Sequence, residues 1–279
     1  MLLRVGSRGS RLALTQAERA ATALRGQRVG GATVDVALVP ITTAGDRDRT
    51  SPFGEIGARG VFVKELEEAL LEGRIDVAVH SAKDMTSSDV AGLVVGAYTQ
   101  REDPRDALCG AAAIRPGMRI GTASARRRAQ LLALEPTLSI EPLRGNIDTR
   151  LRKRGERGLD AIVLAACGLD RLGLDGEIGL RIDPAVMLPE AGQGALALQV
   201  RAGEEDLVSR VDDPETHARV EAERRCVALI GGGCLAPVAA HHDGEILTAL
   251  IAAEDGSWME RRSGHDPAAL AAELLPLAR

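Results

Sequence analysis

The sequence predicts an α/β protein with mixed, mostly parallel sheets and helices on both faces, followed by a small α+β segment. Three observations carry this. Short β-rich apolar runs alternate with helical patterns from the first residues onward. The alternation restarts shortly after residue 100. From Ala239 to Arg279 the pattern changes to strands followed by one helix.

Each element has its own signal. Leu2–Gly6 is a strand. Ser10 caps the helix that follows, which carries Leu12, Leu14, Ala17, Ala21 and Leu24 on one side and meets Gly26 at its end. Val34–Val39 is a second strand. The glycine-rich stretch Gly45–Gly60 has no apolar period and is long for a connection in a compact domain, so it predicts a lid. Val61–Gly73 reads as a helix buried through Val61, Leu66, Ala69 and Leu70. Ile75–Val79 and Leu93–Tyr98 read as strands. In the second series Met118–Gly121 is a strand, Ser124–Leu134 a helix, Asn146–Arg154 a helix, and Ala161–Ala165 a buried strand. Ala195–Val200 is a further strand, and Glu215–Ile230 a long helix running into Gly231-Gly232-Gly233-Cys234. Ile246–Ala252, Trp258–Arg262 and Pro267–Leu277 supply two strands and a last helix.

A chain of 279 residues holds two domains, or three small ones. With 45% hydrophobic and 27% charged residues it can bury a core without disulfides or metals. No apolar run approaches the ~18 residues of a membrane helix. The first residues lack a signal-peptide apolar region, so no membrane partner and a cytoplasmic location are expected. The four cysteines Cys109, Cys167, Cys226 and Cys234 form neither a CxxC pair nor a zinc cluster and read as reduced thiols, and no metal is expected. Phe53, Phe62, Tyr98 and Trp258 are the only aromatics, too few to stack single-stranded nucleic acid. A net charge of -5 excludes a generic polyanion binder.

The motifs carry the functional signal. Val5-Gly6-Ser7-Arg8-Gly9-Ser10-Arg11 is echoed by Ile120-Gly121-Thr122-Ala123-Ser124-Ala125-Arg126. Each is a strand end, a glycine, a hydroxyl residue and a capped helix start with an arginine in its first turn. The free N–H groups and the positive end of the helix dipole suit an anion; ordinary capping by Ser10 and Ser124 explains either copy alone equally well. Arg127, Arg128, Arg144 and Arg150 add cations after the second copy. Arginine forks fit carboxylates as well as phosphates, while no GxxxxGK[ST] or GxGxxG loop is present. Among the cations only Lys64, Lys83 and Lys153 are lysines. Lys83 stands beside Asp84 in Val79-His80-Ser81-Ala82-Lys83-Asp84, at a strand end where chemistry is expected in an open sheet. On residues alone, a solute-binding module or a phosphoryl or sulfonyl transfer enzyme using both helix starts remains open beside a polycarboxylate-processing enzyme.

Taken together, these motifs resemble the hydroxymethylbilane synthase (porphobilinogen deaminase) family. The resemblance extends through Arg59-Gly60-Val61-Phe62-Val63-Lys64-Glu65, Arg101-Glu102-Asp103-Pro104-Arg105-Asp106-Ala107, Leu143-Arg144-Gly145-Asn146, Leu188-Pro189-Glu190-Ala191-Gly192-Gln193-Gly194 and Gly232-Gly233-Cys234. It implies two periplasmic-binding-protein-like domains, residues 1–99 with 193–212 and residues 100–192, plus a small α+β domain, 213–279. It implies a transferase of tetrapyrrole (haem) biosynthesis. Such an enzyme condenses four porphobilinogens head to tail, releases ammonia, and hydrolyses off linear hydroxymethylbilane. A dipyrromethane cofactor joined by a thioether to Cys234 would prime the chain. The resemblance makes Asp84 the catalytic carboxylate, stabilising the azafulvene and pyrrolenine cations. It puts Ser81, Lys83, Asp84, Thr122, Ser124, Arg126, Arg127, Arg144 and Gly145 on the cofactor. Arg8, Ser10, Arg144, Arg150, Arg171 and Gln193 fall on the substrate, with Phe53, Arg59 and Phe62 on the lid. A monomer with no nucleic-acid partner is implied. Where the family commonly has Lys-Asp-Val-Pro, this chain has Lys83-Asp84-Met85-Thr86, and Glu55 and Arg59 stand at lid positions often held by lysine. Cys109, Cys167 and Cys226 read as buried thiols and His80 as a structural hydrogen-bonding residue.

Overall fold

A computed structural model of the chain describes residues 1–42, 63–85, 90–231 and 237–277. Phe53, Glu55, Arg59, Phe62, Thr86 and Cys234, with the whole of Gly45–Gly60, lie outside the described residues. The elements in chain order are β1 (Leu2–Arg8), α1 (Arg11–Leu24), β2 (Arg28–Val29), β3 (Ala32–Thr33), β4 (Asp35–Ile41), α2 (Lys64–Leu71), β5 (Val77–Ser81) and β6 (Leu93–Tyr98). There follow β7 (Asp106–Cys109), β8 (Arg119–Gly121), α3 (Ala125–Leu134), β9 (Ser139–Glu141), α4 (Ile147–Glu156), β10 (Ala161–Ala165), α5 (Ala166–Arg171) and β11 (Ile178–Ile182). The last are β12 (Leu196–Arg201), α6 (Pro214–Leu229), β13 (Val238–His242), β14 (Leu247–Ala252), β15 (Met259–Gly264) and α7 (Pro267–Leu274).

The chain divides into two compact units, residues 1–101 with 195–218 and residues 102–194 with 219–279. The first unit holds a five-stranded sheet of order β4-β1-β5-β12-β6. β1 runs parallel to β4 and β5, while β12 is antiparallel to β5 and β6. Period-two alternation sends Leu3, Val5, Val77, Val79, Leu198 and Val200 to one face, where Ala20, Ala21 and Leu24 of α1 cover them. Ala78 faces the opposite way, into a cluster with Leu66, Ala69 and Leu70 of α2. Helices on both faces therefore follow from the sequence pattern.

The second unit repeats that pairing scheme in the order β11-β7-β10-β8-β9. Here β8 is parallel to β9 and β10, and β7 is antiparallel to β10 and β11. Leu108, Ile120, Leu131 and Val163 fill one face; Cys109, Leu143, Ile162 and Leu164 fill the other. The three-stranded sheet β13-β14-β15 packs with α6 and α7 around Cys226, Val238, Leu247, Leu270 and Leu274, the predicted α+β pattern.

Three departures from the sequence reading have physical causes. Parallel and antiparallel pairings divide evenly within each sheet, because one strand of each, β7 or β12, enters antiparallel. The strand β10 spans the predicted Ala161–Ala165, but the helix that follows it, α5 from Ala166, has no sequence signal, because apolar residues run on through Cys167. The strands β7, β9 and β11 carry weak patterns. β9 has three residues, and β11 includes Gly179 and Arg181, whose guanidinium pairs with Asp170.

Candidate active site

In the first unit the register Gly6↔Ala78 brings β1 and β5 to an end at the same sheet edge. Arg8 is the last residue of β1, half-buried. Ser10 then caps α1, its hydroxyl accepting from the Ala13 backbone N–H at 3.3 Å. β5 ends at Ser81 and passes into a single 3-10 turn, Ala82–Asp84. Buried Ala82 and Met85 anchor the turn, and the Ala82 N–H donates to the Ala195 carbonyl at 3.0 Å. Lys83 is half-buried and Asp84 is exposed, so the turn delivers a carboxylate to solvent from a rigid base.

Two buried amides grip the residues before that turn, one from each face. Gln16 of α1 donates from Nε2 to the Ser81 hydroxyl at 3.1 Å. On the α2 side Gln199 donates to Glu67 Oε1 at 3.1 Å, which turns its carbonyl oxygen toward His80 Nε2, 3.0 Å away. That oxygen requires a proton on Nε2, so His80 is held in one tautomer as a structural donor.

In the second unit β8 ends at Gly121 and Ser124 caps α3, accepting from the Arg127 N–H at 3.4 Å. Buried Thr122 accepts from the Ser124 N–H at 3.2 Å. A Cβ on Gly121 would lie 2.8 Å from a Leu159 methyl and 2.9 Å from a Leu143 methyl, so any larger residue there would have to displace these buried side chains. Arg126 and Arg127 are buried and converge on Asp106, the first residue of β7, which has no exposed surface. Arg126 Nη1 donates to Asp106 Oδ2 at 2.8 Å and to the Leu188 carbonyl at 2.7 Å, and its Nε donates to Glu190 Oε2 at 3.0 Å. Arg127 donates to Asp106 Oδ1 through Nη2 at 2.7 Å and through Nε at 3.1 Å, and to the Val163 carbonyl at 3.0 Å. Burial alone would push the Asp106 carboxyl up. The two guanidinium charges and their hydrogen bonds outweigh it and hold the group far below the usual carboxylate range. Burial likewise works against the Arg126 charge, but Asp106 and Glu190 raise its affinity for the proton.

The remaining candidates among the described residues also lie in this unit. Gly145 has φ +121, and a Cβ there would meet Thr149 Cγ2 at 2.7 Å, so the Arg144–Asn146 corner needs glycine. Arg150 Nε donates to the Gly145 carbonyl at 2.5 Å and Lys153 Nζ to the Arg144 carbonyl at 3.3 Å. Arg171 is buried, donating to Glu102 Oε2 at 2.5 Å and to the Gly194 carbonyl at 2.7 Å. Gln193 is fully buried, and its amide reaches the Pro104 carbonyl at 2.7 Å and Asp106 Oδ1 at 3.0 Å, beneath the arginines.

Residue reasoning passed over Asp106, Glu190, Gln16, Gln130 and Gln199. A signal for the glutamines was present: Gln16 and Gln130 both stand six places after a serine cap and both are buried. Gln130 accepts from the Leu188 N–H at 2.7 Å and donates to the Leu188 carbonyl at 3.1 Å. Cys109, Cys167 and Cys226 are buried free thiols; burial pushes Cys109 and Cys226 up to about 11. Among the described residues no group of three or more His, Cys, Asp or Glu could hold a metal ion.

Known proteins are similar over most of the chain. Residues 3–209 match the family model described as porphobilinogen deaminase, dipyromethane cofactor binding domain. The porphobilinogen deaminase of Roseiflexus sp. (strain RS-1) is 46% identical, over 97% of this chain and 95% of that one. That of Paenibacillus macerans is 45% identical, over 85% of this chain and 76% of that one. Among solved structures, a TRAP periplasmic solute binding protein from Desulfovibrio salexigens aligns with a TM-score of 0.44 and 10% identity over 78% of this chain and 73% of that one. On the family model and the sequence relatives, the chain belongs to the porphobilinogen deaminase family.

Proposed function

We propose that Asp84 carries the chemistry of the family's reaction in this chain and that the arginines at the strand ends and helix starts hold its carboxylates. The reaction is a transfer: porphobilinogen units are condensed head to tail with release of ammonia, giving linear hydroxymethylbilane for tetrapyrrole synthesis. The observation that carries the reading is the exposed Asp84 at the end of a turn anchored by buried neighbours. Loss of ammonia leaves a cationic azafulvene, and a fixed carboxylate beside a developing cation lowers the barrier. Asp84 holds the pyrrole N–H, stabilises that cation and relays a proton to the leaving amine. Arg8, Ser10, Arg144, Arg150 and Arg171 hold substrate acetate and propionate groups, and Gln193, also assigned to the substrate, bonds Asp106, the carboxylate that Arg126 and Arg127 share. Phe53, Arg59 and Phe62 close over the substrate.

The donor set fits a polycarboxylate cofactor: hydroxyls of Thr122 and Ser124 stand at a helix start next to two guanidinium groups. Ser81, Lys83, Asp84, Thr122, Ser124, Arg126, Arg127, Arg144 and Gly145 would hold dipyrromethane, attached through Cys234. When bound, it supplies the free pyrrole α-carbon from which the product chain is built. The small domain 213–279 contributes the attachment cysteine, and residues 1–99 with 193–212 and 100–192 contribute Asp84 and the arginine-rich site. The protein acts as a monomer in the cytoplasm without nucleic-acid or membrane partners; no helix among the described residues is long and apolar enough to cross a membrane.

Intact mass spectrometry tests the reading. The purified chain should carry the added mass of two pyrrole units, and Cys234→Ala should lack both that mass and activity. A loaded, active Cys234→Ala protein would move the attachment elsewhere.

A further inference from the structure

The arginine cluster of the second unit is electrically balanced as it stands. Arg126 and Arg127 supply two cations; Asp106 and Glu190 supply two anions. A neutral cluster offers an incoming carboxylate little attraction, so binding there requires one of the resident anions to leave.

The two anions differ in how they are held. Asp106 has no exposed surface and accepts from Arg126 Nη1, from Arg127 Nε and Nη2, and from Gln193 Nε2. Its removal would strand two buried guanidinium groups. Glu190 is 24% exposed, and its carboxylate is held by Arg126 Nε at 3.0 Å. It sits in the segment between Leu188, whose carbonyl takes Arg126 Nη1, and Gly192, whose N–H donates to buried Glu223 at 2.7 Å. The backbone around Glu190 is thus fastened on both sides while its side chain reaches solvent. Arg171 shows the same division: a backbone carbonyl, that of Gly194, on one arm and a 36% exposed carboxylate, Glu102, on the other.

We propose that Glu190 is an exchangeable counter-ion: it neutralises Arg126 when no ligand carboxylate is present and swings away when one takes its place on the guanidinium. Glu190 then sets the affinity of this subsite for pyrrole carboxylates. With the site empty it spares Arg126 an unbalanced buried charge; with the site filled it competes, so the ligand carboxylate can be released. No covalent step is involved; one ionic pair replaces another. The inference rests on the reading of Arg126 as a carboxylate-binding residue.

The test follows assembly of the covalent pyrrole adduct. Apo-protein is prepared from cells unable to make porphobilinogen. It is mixed with limiting porphobilinogen at low salt, and adduct mass is read over time. Glu190→Gln should load about tenfold faster, the equivalent of ~1.4 kcal/mol in relative affinity. Glu190→Asp, one methylene too short to reach Arg126 Nε in the same pose, should load faster by a smaller factor, and it carries the test if the glutamine variant does not fold. Equal or slower loading by folded variants overturns the exchange. Arg126→Leu separates the two ideas: a folded Arg126→Leu protein that loads at the normal rate overturns the carboxylate-binding reading itself. Impaired Arg126→Leu with unaltered Glu190 variants removes only the counter-ion role.

Discussion

The two α/β units use one strand-pairing scheme and dispose of charge in opposite ways. In the first, the groups at the strand ends stand outward: Asp84 is exposed, Arg8 and Lys83 are half-buried, and the buried groups behind them are amides and an imidazole, Gln16, Gln199 and His80. In the second, the cations Arg126, Arg127 and Arg171 are buried; the first two lean on the internal carboxylate of Asp106 and the third on the partly exposed one of Glu102. A neutral hydrogen-bonded support can lose its outer charged group without unfolding. A buried ion cluster cannot lose one member without leaving another uncompensated. Chemistry and stability should therefore separate in the first unit and be entangled in the second.

Asp84→Asn gives the sharpest separation. It removes a charge that the fold does not use, so kcat should fall ~10²–10⁴-fold while the thermal midpoint stays within about 2 °C. Steady-state kinetics beside calorimetry reads both. A large loss of stability would erase the contrast between the units.

Asp106→Asn is the opposite case. Two buried guanidinium groups lose their shared anion, and ~3–5 kcal/mol of stability should go with it, measured by urea unfolding. The pH dependence has a definite sign. The folded-state carboxyl is held below its unfolded value, so its contribution is complete above the unfolded value near ~4 and is lost as pH falls below that toward the folded value. The gap between wild type and variant should be flat from neutral to about pH 5 and shrink only in stronger acid.

A paired comparison comes next. On the proposed roles, Arg8→Leu and Arg126→Leu should each remove a charge-assisted contact worth ~1.5–3 kcal/mol to a bound carboxylate. Arg8→Leu should shift the distribution of enzyme-bound pyrrole intermediates in native mass spectrometry and disturb unfolding less than Arg126→Leu. Arg126→Leu should alter both. Identical adduct distributions from the two variants would count against stage-specific roles.

The smallest effects belong to the helix caps. Ser10→Ala and Ser124→Ala each lose a side-chain acceptor at a helix start, for ~0.5–2 kcal/mol. Similar losses in both would show that the echoed motifs are equivalent as structure, leaving their difference to the arginines.

What the sequence disclosed follows this same contrast. The strand–helix alternation, both serine caps and the Ser81–Asp84 turn are local patterns, and each stands where its period or cap residue places it. Asp106 and Glu190 were opaque because their meaning depends on partners far along the chain: Asp106 meets Arg126 and Arg127, and Arg126 meets Glu190. No local period records such a pairing. β9 and β11 were missed for a related reason: short edge strands owe their form to the neighbour they pair with, β8 in one case and β7 in the other.

The position of β12 in the first sheet has a consequence for synthesis. That sheet is interrupted in sequence: β12 fills the gap between β5 and β6, yet it is translated after every strand of the second sheet. While the ribosome is still adding residues 102–182, β5 has β1 on one side and an open edge on the other. The second sheet can close as soon as β11 emerges. Only when Leu196 pairs with Ser81 and the Ala195 carbonyl receives the Ala82 N–H is the turn bearing Asp84 framed. The nascent chain thus completes its arginine-rich sheet first and the turn bearing Asp84 second.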